Sequence, residues 1–194
     1  GDPAAVLNLA RNAFAVDEAE RNRILAKAFA RLGQVDQAIT HFQTARENRP
    51  EDKLLAGEYG LALIAMNRAA EARPFLEQAH AAHPENARFV GALGLVDRSE
   101  GNNDSAYNRL RAALESSFEH RTLVAPFISA AEACDRPTDA EEVVRSFAEF
   151  YPGDITLACS YARLLAVLGG HAGARERLAL ALALDPENDE ARAL

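Results

Sequence analysis

The sequence predicts an all-α solenoid in which antiparallel helix pairs stack on one another along the chain. Alanine accounts for 41 of the 194 residues and aromatic residues for only 7%, and alanine has the highest helix propensity of all residues. Similar residues also return every 34 residues, which is typical of repeat proteins. Because one helical hairpin cannot bury its apolar face alone, successive hairpins must pack into a continuous core.

Three rows of residues spaced 34 apart define the repeat. The first row is alanine throughout and consists of Ala38, Ala72, Ala106, Ala140 and Ala174. The second row is apolar and consists of Phe42, Leu76, Leu110, Val144 and Leu178. The third row holds residue types that tolerate a left-handed conformation after a helix, namely Gly33, Asn67, Gly101, Asp135 and Gly169. Each unit therefore reads as two helices joined by a short turn.

This register divides the chain into five full units and two partial ones. Residues 1–18 form a partial preceding unit with a linker, and residues 189–194 begin a truncated further unit. The full units lie between them and cover residues 19–52, 53–86, 87–120, 121–154 and 155–188. Because neither end carries a clear polar capping helix, we expect the chain to be a piece of a longer protein; the alternative is a complete protein with frayed ends.

The fourth unit departs from the pattern. Ile128 stands where the other units have a small residue, and Phe147 stands in a row that is otherwise alanine. Large residues at these places should widen the hairpin, so we expect an irregularity between the third and fourth units, either as drift in one repeat or as a specific binding feature. The spacing of Thr138 and Glu141 predicts a capping box at the start of the second helix of this unit.

The repeat pattern resembles the tetratricopeptide repeat family. The resemblance rests on the alanine row, the prolines that follow the second helices, and the rows that begin at Leu25, Ala26, Phe42 and Ala45, and the five units cover 170 of the 194 residues. It implies a right-handed superhelix in which the first helix of each unit lines a concave groove. It also implies a protein-interaction scaffold without catalysis of its own.

The composition and motifs point away from other classes of function. The formal net charge of −8 argues against nucleic acid as a partner, and no apolar run is long enough for membrane insertion. Gly169 and Gly170 precede a helix but lack the Lys-Ser/Thr pair of a phosphate-binding loop. We therefore expect no enzyme activity and a soluble protein, in the cytoplasm or the periplasm.

Neither the histidines nor the cysteines predict a metal site or a cofactor. His80 and His83 are three residues apart, but no acidic or cysteine ligand stands at a matching spacing. Cys159 falls on the groove-facing side of its helix, where it could be exposed, and has no neighbouring histidine that would activate its thiol. We expect no metal and no cofactor.

The resemblance places a mixed cationic and apolar surface on the concave face. The candidate peptide-binding residues are Arg23, Lys27, Arg31, Leu54, Glu58, Leu61, Ile64, Arg88, Leu95, Arg98 and Arg163. With Glu20 and Glu132 added, this face carries six basic and three acidic residues, a formal charge of +3 on a chain of −8. Gly57, Gly91, Ala92 and Ala125 are small and would leave room for a ligand backbone.

The leading hypothesis is that this groove binds a peptide or partner segment that carries acidic and apolar residues. The competing explanation for the basic stripe is that it is a solvated face paired with neighbouring glutamates. Glu58 stands where family members that hold the C-terminal carboxylate of heat-shock chaperones have asparagine, and it would repel that carboxylate. Two further hypotheses are a regulatory or substrate-docking arm of a larger enzyme or secretion and assembly machine, and a homo-oligomeric, self-associating module.

Overall fold

The structure, a computed structural model, describes residues 5, 8 and 17–194. Residues 17–194 form eleven α-helices and one 3-10 helix, and none of these helices combines the length and the apolar content needed to cross a membrane. The predicted partial unit at 1–18 lies outside the described residues except at its last two positions and at residues 5 and 8. The chain divides into two compact units, Gly1–Val96 and Asp97–Leu194.

The helix bounds follow the 34-residue register. In the first compact unit the helices are α1 (Glu18–Arg31), α2 (Val35–Asn48), α3 (Lys53–Ala65), α4 (Ala69–Ala82) and the greater part of α5 (Ala87–Ser99). The second compact unit contains α6 (Asn103–Ser116), the 3-10 helix (Phe118–Leu123), α7 (Val124–Ala133), α8 (Pro137–Phe150), α9 (Ile155–Val167), α10 (His171–Leu184) and α11 (Asp189–Ala193). The fold class predicted from the sequence, an all-α helical solenoid, is correct.

Small residues let the helices of a pair approach closely. In the first compact unit α1 packs on α2 and α3 packs on α4, and Ala38 and Ala72 are fully buried between the helices. A Cβ atom built on Gly60 would lie 2.7 Å from Cγ of Leu76, well inside van der Waals contact. The alanine row is buried in the second compact unit as well, at Ala106, Ala140 and Ala174. The predicted register of small residues is therefore correct.

The turn row takes the backbone conformation that the sequence predicts. All of its members have positive φ, which is 59° at Asn67 and 55° at Asp135. This conformation turns the next backbone N–H back towards the helix, so that Arg68 donates to the carbonyl oxygen of Leu63 at 2.8 Å and Arg136 to that of Ala131 at 2.8 Å. These bonds satisfy carbonyls that a helix end otherwise leaves open.

The predicted irregularity takes the form of a 3-10 helix. Position 120 is in register with the residues that cap other first helices: Asp52, two periods earlier, accepts from the backbone N–H of Leu55 at 2.9 Å, and Asp154, one period later, accepts from that of Leu157 at 3.1 Å. His120 cannot provide a carboxylate cap, and its backbone is not helical (φ −87°, ψ 24°). A 3-10 turn occupies this segment, and α7 begins only at Val124.

The capping box predicted at Thr138 and Glu141 is wrong. Helix α8 begins at Pro137, and its N-cap residue, Arg136, makes no side-chain capping bond. Proline is favoured at the first helical position because it has no N–H to satisfy there, so Thr138 already lies inside the helix. Glu141 accepts a hydrogen bond from the hydroxyl of Tyr161 at 2.6 Å instead.

Candidate functional site

The first helices of the first compact unit present the predicted basic stripe. Arg23, Lys27 and Arg31 are four residues apart on α1, so they share one face of that helix. Helix α1 packs against α3, which carries Glu58. The rotation of each helix about its own axis therefore determines which cations lie close to the Glu58 carboxylate.

Glu58 forms ion pairs with two of the predicted cations. Nη1 of Arg23 donates to both carboxylate oxygens of Glu58 at 2.9 Å, and Nζ of Lys27 donates to Oε1 at 2.9 Å. The Glu58 side chain is only 13% exposed. Arg23 also donates through Nε to Glu20 at 2.8 Å. For Arg23 and Lys27, the competing explanation of a stripe paired with glutamates therefore describes the structure well.

The ion pairs shift the pKa values of the groups that form them. The hydrogen bond to Glu20, followed by the bonds to Glu58, raises the pKa of the Arg23 guanidinium. The hydrogen bond from Arg23 lowers the pKa of the Glu20 carboxyl below its ordinary value. The Arg23 guanidinium is thus held between the carboxylates of Glu20 and Glu58.

A pocket of about 220 Å³ opens beside this network. It brings together five of the predicted residues, which are Lys27, Arg31, Glu58, Leu61 and Arg88. Arg31 and Arg88 are exposed. Within residues 17–194, neither of them has a carboxylate at ion-pair distance, unlike Arg23 and Lys27. Around this pocket, the positive charge that has no carboxylate partner among the described residues is therefore that of Arg31 and Arg88.

The apolar side chains of the predicted face differ in how far they are exposed to solvent. Leu54 is 47% exposed, whereas Leu61 and Ile64 are half-buried and pack against the core of the first compact unit. Leu95 on α5 is half-buried. These four leucine and isoleucine side chains are each at least partly accessible to a partner.

The small residues Gly57, Gly91 and Ala92 do not leave room for a ligand backbone, and the prediction is wrong for these three, whereas Ala125 is half-buried. Gly57, Gly91 and Ala92 are each buried. A Cβ atom on Gly57 would lie 2.5 Å from ring carbons of Phe89 and 2.7 Å from Cβ of Ala79. Gly57 is small because α5 and α4 pack directly on it.

Two predicted site residues belong to the second compact unit. Arg98 is exposed near the end of α5. Arg163 on α9 is half-buried, and its Nε atom is buried without a hydrogen-bond partner among the described residues. Cys159, on the same helix, is fully buried rather than groove-exposed, and burial raises the pKa of its thiol. The interior position of Cys159 follows from its packing against Ala181 and Ala191.

Two alanines that line the pocket are not among the predicted site residues. Ala62 and Ala65 of α3 contribute to its wall beside Leu61. Ala65 lies four residues after Leu61 and therefore on the same helix face, so this spacing was the signal that could have identified it. Within the described part of the chain, no group of three or more histidine, cysteine or acidic residues is arranged to hold a metal ion.

Comparisons with known proteins agree with this architecture. A family model described as tetratricopeptide repeat matches residues 63–125. A chain of the Cut9–Hcn1 hetero-tetramer of APC/C superposes with a TM-score of 0.82 at 18% identity over 98% of this chain, which spans 38% of that one. The type IV pilus biogenesis factor PilW superposes with a TM-score of 0.81 at 17% identity over 98% of this chain and 88% of its own.

A third solved structure has a fold of the same kind. YrrB, a tetratricopeptide-repeat protein described as having an unusual peptide-binding site, superposes with a TM-score of 0.69 at 18% identity. The match covers 96% of this chain and 94% of YrrB. No curated protein sequence matches the chain. At such identities these likenesses establish the fold.

Proposed function

We propose that this chain, a member of the tetratricopeptide-repeat family, is an interaction scaffold that binds a segment of another protein on the face formed by α1, α3 and α5. The bound segment carries acidic and apolar residues, and the chain has no catalytic activity of its own. The observation that carries the proposal is the pocket in which the unpaired Arg31 and Arg88 lie beside Leu61. The peptide-binding site described for YrrB supports a role of this kind for the fold.

The charges on this face suggest where an acidic side chain would bind. Glu58 already takes up Arg23 and Lys27 and would repel a second carboxylate beside it. Arg31 and Arg88 have planar guanidinium groups that can each donate two hydrogen bonds to one carboxylate. We therefore assign ligand carboxylates to Arg31 and Arg88, and Arg23 and Lys27 to the organisation of the face.

The apolar residues supply the remaining part of the binding energy. Leu54 is exposed at the start of α3, and Leu61 lies two turns further along the same helix, in the pocket wall. An extended segment with an apolar residue beside its acidic one would bury part of both leucines. Removal of apolar surface from water contributes about 25 cal/mol per Å².

A docking arm of a larger assembly is the second candidate function. It is favoured by the superposition on a chain of the Cut9–Hcn1 hetero-tetramer, of which this chain spans 38%. In that role the same face would bind another subunit instead of a separate partner. Co-purification of the full-length protein with associated subunits would favour this second candidate.

The experiment is a titration of the isotope-labelled protein with the peptide N-acetyl-Leu-Glu-Glu-Leu-amide, followed through backbone amide chemical shifts. We expect saturable shifts around Arg31, Leu61 and Arg88, and little response to the uncharged peptide N-acetyl-Leu-Gln-Gln-Leu-amide. Replacing Arg31→Glu or Arg88→Glu should raise the dissociation constant about tenfold, because a charge-assisted contact becomes a repulsion. The affinity should also fall as salt is added.

The matched control is Arg145→Glu, which makes the same change of charge on an exposed arginine of α8. This variant should bind the acidic peptide as the unmodified protein does. Equal affinity for the two peptides, or an affinity that Arg31→Glu and Arg88→Glu leave unchanged, would refute the electrostatic part of the proposal.

A further inference from the structure

A second cavity lies in the second compact unit, on helices that the proposed peptide-binding face does not use. It has a volume of about 390 Å³ and is bounded by α6, α8 and the 3-10 helix. This volume falls in the range of roughly 300–1,000 Å³ that is typical of ligand pockets. Its apolar wall and acidic rim are formed by Leu114, Phe118, Val143, Phe147, Glu115 and Glu142.

The end of the third repeat and the irregular fourth repeat together build the aromatic wall of this cavity. Phe118 opens the 3-10 helix and stacks on Phe150 with ring centroids 4.3 Å apart and an interplanar angle of 3°. It also contacts the ring of Phe147 at 4.9 Å. The hydroxyl of Tyr151 donates to the carbonyl oxygen of Phe118 at 3.0 Å, which fixes the backbone of the wall. Phe118 remains 38% exposed and Phe150 57% exposed.

The rim of the cavity is negative. Among the described residues, the Glu142 carboxylate has no hydrogen-bond or ion-pair partner, and it is exposed. Glu115 is paired with Arg111 at 2.7 Å, so that pair contributes little net charge. Glu142 therefore leaves one uncompensated negative charge beside an apolar wall.

The end of α6 adds to this negative potential. Its last residues, Leu114 to Ser116, line the cavity. The hydroxyl of Ser116 donates to the carbonyl oxygen of Ala113 at 2.6 Å, and in the described structure no backbone N–H beyond Ser116 returns to the last carbonyls of the helix. Open carbonyls at a helix C-terminus carry partial negative charge and favour a cation.

We propose that this cavity binds an arginine side chain that lies next to an apolar residue in an extended segment of a partner protein. The flat guanidinium group can stack on an aromatic ring and donate to Glu142 and to the carbonyls at the end of α6. The neighbouring apolar residue covers the exposed edges of Phe118 and Phe150. This site has the opposite charge preference from the face that contains Arg31 and Arg88, and it does not depend on that face.

The test uses the full 194-residue chain and the probe N-acetyl-Leu-Arg-Leu-amide. We expect saturable shifts of the backbone amides of Leu114, Phe118 and Val143, and no saturable shifts with the uncharged N-acetyl-Leu-Gln-Leu-amide. Glu142→Gln should raise the dissociation constant for the arginine peptide about fivefold, because it removes one partly exposed charge contact. Glu149→Gln is the matched control, since Glu149 is an exposed carboxylate of the same helix that does not line the cavity, and it should bind as the unmodified chain does.

The two proposals can fail separately. Arg31→Glu should leave binding of the arginine peptide unchanged, and Glu142→Gln should leave binding of the acidic peptide unchanged. The cavity proposal is overturned if the arginine peptide gives no saturable shifts at these residues, if the glutamine peptide binds equally well, or if Glu142→Gln and Glu149→Gln have equal effects. Because both substitutions are on the surface, loss of folding does not complicate the comparison.

Discussion

At Gly57, helix packing in the first compact unit leaves no room for a larger residue. Gly57 lies inside α3, where glycine is intrinsically less favourable than alanine by about 1 kcal/mol. A residue with a side chain is excluded at this position because the ring of Phe89 and the methyl group of Ala79 leave no space for a Cβ atom. Packing therefore outweighs helix propensity at this position.

Gly57→Ala should lower the free energy of unfolding by about 1–2 kcal/mol, since the cost of overpacking exceeds the gain in helix propensity. Urea unfolding followed by circular dichroism measures the change. The control is Gly173→Ala in α10, where the nearest atom to a new Cβ is the flexible Cδ1 of Leu165 at 3.3 Å; we expect this variant to be at least as stable as the parent. A Gly57→Ala protein of undiminished stability would contradict the packing described here.

Burial of a residue could be predicted from the sequence only where the same residue type recurs every 34 positions. The alanine row is buried as predicted, because five in-register alanines identify the contact between paired helices. Gly57 and Cys159 were assigned to the groove from their helix face alone. The neighbours that bury them are Phe89 on α5 in one case and Ala181 and Ala191 in the other, and a helical wheel contains no information about them.

At the scale of the helices, side-chain caps mark where the first helix of a pair begins. Asp52, Asp154 and Asn188 each accept a backbone N–H three residues later. Such a cap satisfies one of the donors that a helix start leaves open. The start of each of these helices is therefore fixed by a single side chain.

Asp52→Ala should lower the free energy of unfolding by about 1 kcal/mol, because the N–H of Leu55 loses its acceptor. Thermal and urea unfolding measure the effect. Asp52→Asn keeps an oxygen acceptor and should retain most of the stability, so equal losses in the two variants would show that charge rather than capping is responsible.

The form of the irregular repeat could not be predicted, although its place could. Ile128 and Phe147 break the register of small residues, which is visible in the sequence. The 3-10 helix depends in addition on His120 at a capping position and on the bond from Tyr151 to the carbonyl of Phe118. That bond joins residues 33 positions apart, and the pairing of such distant side chains is not encoded in local propensity.

At the scale of the whole molecule, the distribution of charge matters more than its sum. The chain carries −8 overall, and the predicted concave face carries +3. Glu58 reduces the free part of that charge, because it pairs with Arg23 and Lys27 across 35 and 31 residues of sequence. The residues of the basic stripe could thus be predicted from the sequence. Its partial neutralisation by Glu58 could not, because it depends on which faces of α1 and α3 are in contact.

Ionisable groups also determine how the stability of the whole chain depends on pH. Hydrogen bonds lower the pKa of the Asp17 and Glu20 carboxyls from their ordinary 3.8 and 4.5. The contribution of these two groups to the free energy of unfolding is therefore present above those pH values and is lost as the pH falls below them. Burial, followed by the bond to Glu141, raises the pKa of Tyr161 from 10.0 to about 12. The contribution of Tyr161 to the free energy of unfolding is complete below pH 10 and is lost as the pH rises towards 12.

The free energy of unfolding should therefore be level near neutral pH and decline on both the acid and the alkaline side. Urea unfolding across the pH range, with tyrosinate absorbance recorded in parallel, measures this profile. Tyr161→Phe should lower the neutral plateau, because the bond to Glu141 is lost, but its alkaline decline should be shallower. An alkaline decline as steep in the variant as in the parent would refute the assignment to Tyr161.

The different burial of the two cysteines makes the chain suitable for selective chemical labelling. Both thiols are free, with Cys134 half-buried and Cys159 fully enclosed. A maleimide reagent reacts with thiolate that it can reach, so a fluorophore should attach to Cys134 first without any engineered residue. Attachment at Cys159 would require α9 to separate from α10 and α11, so its labelling rate reports how often those helices come apart in the native protein.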